Sequence, residues 1–221
     1  MKVRPTGVYA LLDTQIVRGR DPGALTDAAA RGGASMSQLR AKTASTREFV
    51  ALAQTVRDAL VGTRVPLIIN DRVDVALAVG ADGVHLGRDD MEPGQARKLL
   101  GPASLIGVTI KNRADVDRLA ACDVGVVDHG CIGGVFPTRH KDNPDAPLGI
   151  HGFAQVLGYA RTQMGTMPIG AIAGITVENA AALITADADF VAVVGAIFDA
   201  EDVASATRAL LTATLQSERQ A

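Results

Sequence analysis

The chain has 221 residues, 48% of them hydrophobic, which suits one large domain or two small ones with a sizeable core. Its formal net charge is -2 and its aromatic fraction only 3%, with no Trp, so it offers neither a broad basic face nor a stacking platform. No nucleic-acid partner is expected, and with no apolar run near the roughly 20 residues that span a bilayer, no membrane partner either.

The opening MKVRPTGVYALLD puts basic residues ahead of an apolar run, but that run meets Asp13 after five residues, too soon for the core of a signal peptide. A cytoplasmic location is expected. VYALLD (8–13) reads instead as a first strand, followed by a helix near 22–32. MSQLR (36–40) is the second strand, and a helix follows over 46–60, with Phe49, Leu52, Ala53, Val56 and Leu60 on one face. Ser45 with Glu48 makes a capping box at its start. PLIIN (66–70) leads to a helix over 72–79, and GVHLG (83–87) to one over 93–100. The remaining strands are SLIGVT (104–109), HGCIGG (129–134), PIGAIA (168–173) and FVAVVGAI (190–197), each followed by a helical stretch. For the sixth, the more apolar VGVVD just before it is an alternative. ADGVHLG, ADFVAVVG and VDHGCIGG each place Asp just before a strand, at spacings too irregular for a solenoid.

Eight βα units without a Gly/Ser-rich linker predict an α/β fold, a closed (β/α)8 TIM barrel forming a single domain over 1–221, with a doubly wound open sheet as competitor. Cys122 and Cys131 match neither a CxxC pair nor a zinc knuckle, and two buried free thiols are expected. His129, Cys131 and His140 make a weak zinc set at irregular spacing.

In a barrel the loops at the carboxyl ends of the strands converge on one face. Asn70 and Asp71 after the third strand would there meet Asp89 and Asp90 after the fourth. Neighbouring carboxylates repel unless a cation lies between them, so Mg²⁺ shared with a phosphorylated small-molecule substrate is the expected cofactor. Gln38, Arg40 and Lys42 end the second strand beside them, two of them cations suited to phosphate oxygens. The long connection after the sixth strand offers Thr138, His140 and Lys141 as donors, with Gly133 and Gly134 permitting close backbone approach. Gly174 after the seventh strand, with Thr176 as candidate N-cap, and Gly195 after the eighth form a candidate phosphate cradle. Gly195 is also a candidate for a positive φ.

These residues resemble the thiamine phosphate synthase family. QLRAK, PLIINDRVDVALAVGADGVHLGRDD, IGVT, IGGVFPTRHKDNPDAPLG, AIAGIT and VVGAI carry the resemblance, in the family's order, over about 36–197. It implies a barrel that joins hydroxymethylpyrimidine diphosphate to thiazole phosphate with release of pyrophosphate. It implies pyrimidine diphosphate binding by Gln38, Leu39, Arg40, Ala41, Lys42, Asn70 and Lys141, with Arg40, Lys42, Asn70 and Lys141 as the catalytic group. Mg²⁺ would lie on Asp71 and Asp90, Thr109, Thr138 and His140 would line the substrates, and Gly174, Val194 and Gly195 would hold the thiazole phosphate. The implied route is dissociative and needs no strong general base, in keeping with the lack of an evident Ser/His/Asp triad.

Several positions depart from the family pattern. Ala41 replaces a common Glu, Arg88 a Gln, Thr109 a Ser, Lys111 a His, and His140 the second Thr of a TxTK run. Ala173 replaces the first Gly of GGI, and Gly195 stands where Ser is common, which removes a hydroxyl from the cradle. A thiazole tautomerase-like barrel with His140 as acid/base, and a non-catalytic phosphate-ligand sensor, are the competing readings. Assembly into a homo-oligomer is left open.

Overall fold

The structure is a computed structural model that describes residues 3–17, 19–138 and 145–218. Eight parallel strands close in chain order: β1 (Gly7–Asp13), β2 (Met36–Arg40), β3 (Leu67–Asn70), β4 (Gly83–Leu86), β5 (Leu105–Ile110), β6 (His129–Ile132), β7 (Ile169–Ile172) and β8 (Phe190–Val193). Pairing of β1 with β8, Val8 opposite Val191 and Ala10 opposite Val193, closes the ring and leaves no sheet edge. Around it lie α1 (Pro22–Arg31), α2 (Thr46–Ala59), α3 (Val73–Val79), α4 (Pro93–Leu100), α5 (Arg113–Ala120), α6 (Gly149–Met164), α7 (Val177–Thr185), a single turn α8 (Gly195–Phe198) and α9 (Val203–Glu218). No described helix is long and apolar enough to cross a membrane.

The strands read as continuous apolar runs because both of their faces are covered. Alternate residues point into the lumen, where Tyr9, Leu11, Met36, Ile68, Leu105, Cys131 and Phe190 form one cluster. The residues between them, such as Val8, Leu12, Leu39, Ile69, Val84 and Ile106, pack outward with the helices. Gly107 makes room for a histidine in this lumen, since a Cβ there would come within 2.2 Å of His129 Nε2. On α2 the expected face is buried through Phe49, Ala53, Val56 and Leu60, and the Ser45/Glu48 capping box is present.

The recurring Asp before a strand has a common job at the amino-terminal end of the barrel. Asp82 accepts a hydrogen bond from Leu67 N at 2.8 Å, Asp128 from Ile106 N at 2.8 Å and Asp189 from Ile169 N at 2.7 Å. Each carboxylate thus ties the strand that follows it to the strand before, in the pairs β3/β4, β5/β6 and β7/β8. In the β1/β2 pair Ser35 stands there, its hydroxyl donating to the carbonyls of Thr6 and Val8.

One alternative falls and two expectations are corrected. VGVVD lies outside any strand, because Gly125 takes a left-handed φ of 82° and Asp128 is spent on the Ile106 clamp, so β6 starts at His129. FVAVVGAI is extended only to Val193, after which the chain turns into α8 at Gly195. Of the two free thiols, only Cys131 is buried; Cys122 is partly exposed.

Candidate active site

Strand parity decides which side chains reach the carboxyl-end mouth. A central pocket is lined by Asp13 of β1, Gln38 and Arg40 of β2, Asn70 of β3, His85 of β4, Thr109 of β5 and Lys111 just beyond it, with Tyr9 and Leu11 at its floor. One depression opens from it toward Lys42, Asp71, Arg88, Asp89, Asp90 and Asp115. Another opens on the far side between Pro137–Thr138, the 172–176 turn and the 192–196 segment. The three adjoin across a single mouth, sharing Arg40, Asn70, His85, Thr109 and Lys111 on one side and Thr138, Ile172, Ala173 and Val194 on the other.

The first depression is a mesh of opposite charges. Lys42 Nζ contacts Asp71, and Arg40 contacts Asp13. Asp13 is nearly fully buried and anchored by Gln15 N at 2.9 Å. Arg88 reaches Asp115 Oδ1 through Nε at 3.0 Å and Nη2 at 2.7 Å, while Asp115 Oδ2 accepts from Lys111 N at 2.8 Å. Asp71 ends β3 in a left-handed conformation, φ 63°, that carries its carboxylate toward β4. There it meets Asp90, which accepts a hydrogen bond from Gly87 N at 2.7 Å. Partial burial, then the Asp71 hydrogen bond, raise the Asp90 carboxyl above the usual range. Two carboxylates held this close repel unless a cation lies between them. This pair therefore fits Mg²⁺, which takes a few carboxylate oxygens and completes its shell with water and phosphate oxygens.

The floor of the pocket is hydrogen-bonded within itself. Gln38 Nε2 donates to Tyr9 Oη at 2.6 Å, and His85 Nε2 lies 3.1 Å from Thr109 Oγ1. Below them His129 is fully buried, and burial, then the nearby His85, hold its pKa down to about 3, so it is uncharged at neutral pH.

The opposite depression is built from backbone. Gly174 has φ 65°, and a Cβ there would approach Pro137 O to 2.4 Å. Phe136 N donates to Ala173 O at 3.1 Å, seating the segment that carries Thr138 on this turn. Asn179 fixes the turn from α7, accepting from Thr176 N at 2.9 Å and donating to Gly174 O at 3.0 Å. Gly195 opens α8 and is not left-handed, contrary to expectation. Amides in a first helical turn lack acceptors within their helix, so this end can meet an anion.

Of the expected site residues, Gln38, Arg40, Lys42, Asn70, Asp71, Asp90, Thr109, Thr138, Gly174, Val194 and Gly195 line this mouth. Leu39 and Ala41 do not present side chains to it. They have the opposite parity on the chain, are 0% and 4% exposed, and pack with the helices, leaving only their backbone for a substrate. His140 and Lys141 lie outside the described residues. No group of three His, Cys, Asp or Glu is arranged for a metal among the described residues, so His129 and Cys131 gain no zinc partner there. Asp13, His85, Lys111 and Asp115 were not singled out from sequence as site residues; strand parity is the signal that finds Asp13, His85 and Lys111, whereas Asp115 reaches the mouth from the first turn of α5.

A family model described as thiamine monophosphate synthase matches residues 8–197. The chain is 48% identical over 213 residues to a thiamine-phosphate synthase of Agrobacterium fabrum, covering 95% of this chain and 96% of that one. It is 43% identical over 203 residues to the thiamine-phosphate synthase of Chloroflexus aurantiacus, covering 92% and 90%. Among solved structures it superposes with a TM-score of 0.81 on a thiamine phosphate pyrophosphorylase from Pyrococcus furiosus, at 29% identity over 97% of this chain and 96% of the other.

Proposed function

The chain belongs to the thiamine monophosphate synthase family, and from that premise we propose that it joins hydroxymethylpyrimidine diphosphate to thiazole phosphate, releasing pyrophosphate and forming thiamine phosphate. The observation that carries this reading is one mouth with two unlike anion sites: a cation-and-carboxylate half around Arg40, Lys42, Asp71 and Asp90, and a backbone half around Gly174 and Gly195. A ligand bridging them would cross the central pocket.

The residues divide the work. Asp71 and Asp90 would hold Mg²⁺, which supplies charge neutralisation at the diphosphate. Arg40 and Lys42 would bind the remaining diphosphate oxygens, each leaving its carboxylate partner to do so, and Asn70 adds an amide donor. Lys141 and His140 follow Thr138 in sequence and are proposed for the same region on the family resemblance alone. As the C–O bond breaks, its electron pair goes to the departing diphosphate, where fixed cations stabilise the developing charge. The pyrimidine methylene cation left behind is captured by the lone pair of the thiazole nitrogen, which forms the new C–N bond. No proton moves in that step, in keeping with the apolar side chains of Leu11, Ile172 and Val194 along the pocket. Thr109 and Thr138 would line the substrates, and Gly174, Val194 and Gly195 would hold the thiazole phosphate through backbone N–H groups.

The deciding experiment mixes both phosphorylated precursors with Mg²⁺ and follows thiamine phosphate and pyrophosphate together. Stoichiometric appearance of both is expected. Tight binding of thiazole phosphate without any product would leave only a phosphate-ligand sensor.

A further inference from the structure

Among the described residues, Lys111 is the least neutralised cation of the mouth. Arg40 contacts Asp13, Lys42 contacts Asp71 and Arg88 contacts Asp115 at 2.7 Å, and two of these three carboxylates are almost fully buried. The only carboxylate within ion-pair distance of Lys111 among the described residues is Asp145, 3.7 Å away and 69% exposed. A contact of that length at an exposed residue is strongly screened. Around it, among the described residues, Asp13, Asp71, Asp89, Asp90 and Asp115 face Arg40, Lys42, Arg88 and Lys111, five carboxylates against four cations.

The placement of Lys111 is as definite as its charge. It follows Thr109 by two positions, so it shares that residue's side of the chain, and it lines both the central pocket and the acidic depression. Its backbone is rooted by the hydrogen bond from Lys111 N to Asp115 Oδ2, while its ammonium lies beyond that anchor. We propose that Lys111 is a further substrate-binding residue, a cation that contacts the diphosphate of the substrate and then the pyrophosphate leaving group. Lysine is charged throughout the neutral range, whereas the histidine common at this position in the resembled family is mostly neutral there. The inference rests on the synthase reading above.

The test is titration of inorganic pyrophosphate with Mg²⁺ into the wild-type protein and into Lys111→Ala, Lys111→Gln, Lys111→Arg and Lys98→Ala. Lys98 is exposed on α4 and outside every depression of the mouth, so its variant controls for the loss of one charge. Loss of a charge-assisted contact predicts about tenfold weaker pyrophosphate binding in the Ala and Gln variants. The Arg variant should stay within about threefold of wild type, and thiazole phosphate affinity should not move in any variant. Circular dichroism checks that each protein is folded, and the Gln variant serves if the Ala variant is not. Pyrophosphate affinity within twofold of wild type in a folded Ala or Gln variant overturns the proposal, as does an equal loss in Lys98→Ala. A wild-type protein that makes no thiamine phosphate, yet still binds pyrophosphate in a Lys111-dependent way, rejects the synthase reading and leaves the cation site standing.

Discussion

Ala173 and Gly174 are adjacent, both left-handed, and should respond to substitution with opposite signs. Ala173 has φ 94°, a region that costs a residue with a Cβ roughly 1–2 kcal/mol. Ala173→Gly removes that strain but loosens the unfolded chain by about 0.4–1 kcal/mol. The balance is a gain of roughly 1 kcal/mol, or about 2–4 °C in midpoint for a domain of this size. Gly174→Ala reverses the account: it adds a Cβ at φ 65° and drives it to 2.4 Å from Pro137 O. Strain and overpacking of backbone together predict a loss of about 2–4 kcal/mol. Because Phe136 N and Val135 N donate to Ala173 O and Ile172 O, the displaced turn should carry Thr138 with it and raise KM for thiazole phosphate. Urea unfolding of the three proteins, followed by circular dichroism, measures both signs. A midpoint that falls in Ala173→Gly would refute the strain argument, and with it the view that the family's glycine at this position answers to backbone conformation.

Other variants probe the remaining parts. His129 has a folded pKa held near 3, against roughly 6.5 when unfolded, so the unfolded chain takes up a proton that the folded chain refuses. Stability present above about pH 6.5 should therefore fall by about 1.4 kcal/mol per unit toward acid, and His129→Leu should flatten that slope by about 2 kcal/mol between pH 7 and 5 in urea titrations. The Asp90 carboxyl is raised in the folded state, so its contribution is greatest in acid and is lost as pH climbs through its folded value. Asp90→Asn should raise the thermal midpoint at pH 7 without Mg²⁺ while abolishing any further rise when Mg²⁺ is added; an undiminished Mg²⁺ response would remove Asp90 from the metal site. Gly195→Ser meets no left-handed backbone and adds a hydroxyl to the cradle, so thiazole phosphate should bind about tenfold more tightly by calorimetry.

Periodicity made the scaffold legible. Eight βα alternations, the Phe49–Ala53–Val56 face of α2 and the Ser45/Glu48 box all follow from local pattern and agree with the structure. What local pattern hides is anything decided by a neighbour. FVAVVGAI looks extended throughout, but the chain has reached the mouth at Val193 and must turn. Gln38 to Lys42 looks like one binding run, but alternation sends Leu39 and Ala41 to the helices. Asp13 looks like the end of an apolar run, whereas the register opposite Arg40 makes it that residue's ion-pair partner. The Asp71–Asp90 pair, by contrast, is readable from sequence because both acids lie in the loops that follow neighbouring strands.

The carboxylate clamps at the amino-terminal end divide the barrel in a way its closed sheet conceals. Asp82 ties strands within β1–β4, and Asp128 and Asp189 tie strands within β5–β8, so none of them crosses from one half to the other. Two arginines do cross: from α4 Arg97 reaches Ser104 O at 2.6 Å, Val126 O at 3.0 Å and Asp128 at 2.5 Å, and Arg4 ahead of β1 reaches Asp189 Oδ1 at 3.1 Å. A gene split between Leu100 and Leu105 would cut no clamp, and the two four-stranded fragments would meet at two seams, each bridged at this end by a guanidinium, Arg97 at β4/β5 and Arg4 at β8/β1. Reassembly of such fragments would then draw on Arg97 and Arg4 beside the two strand ladders, at the end of the barrel away from the substrate mouth.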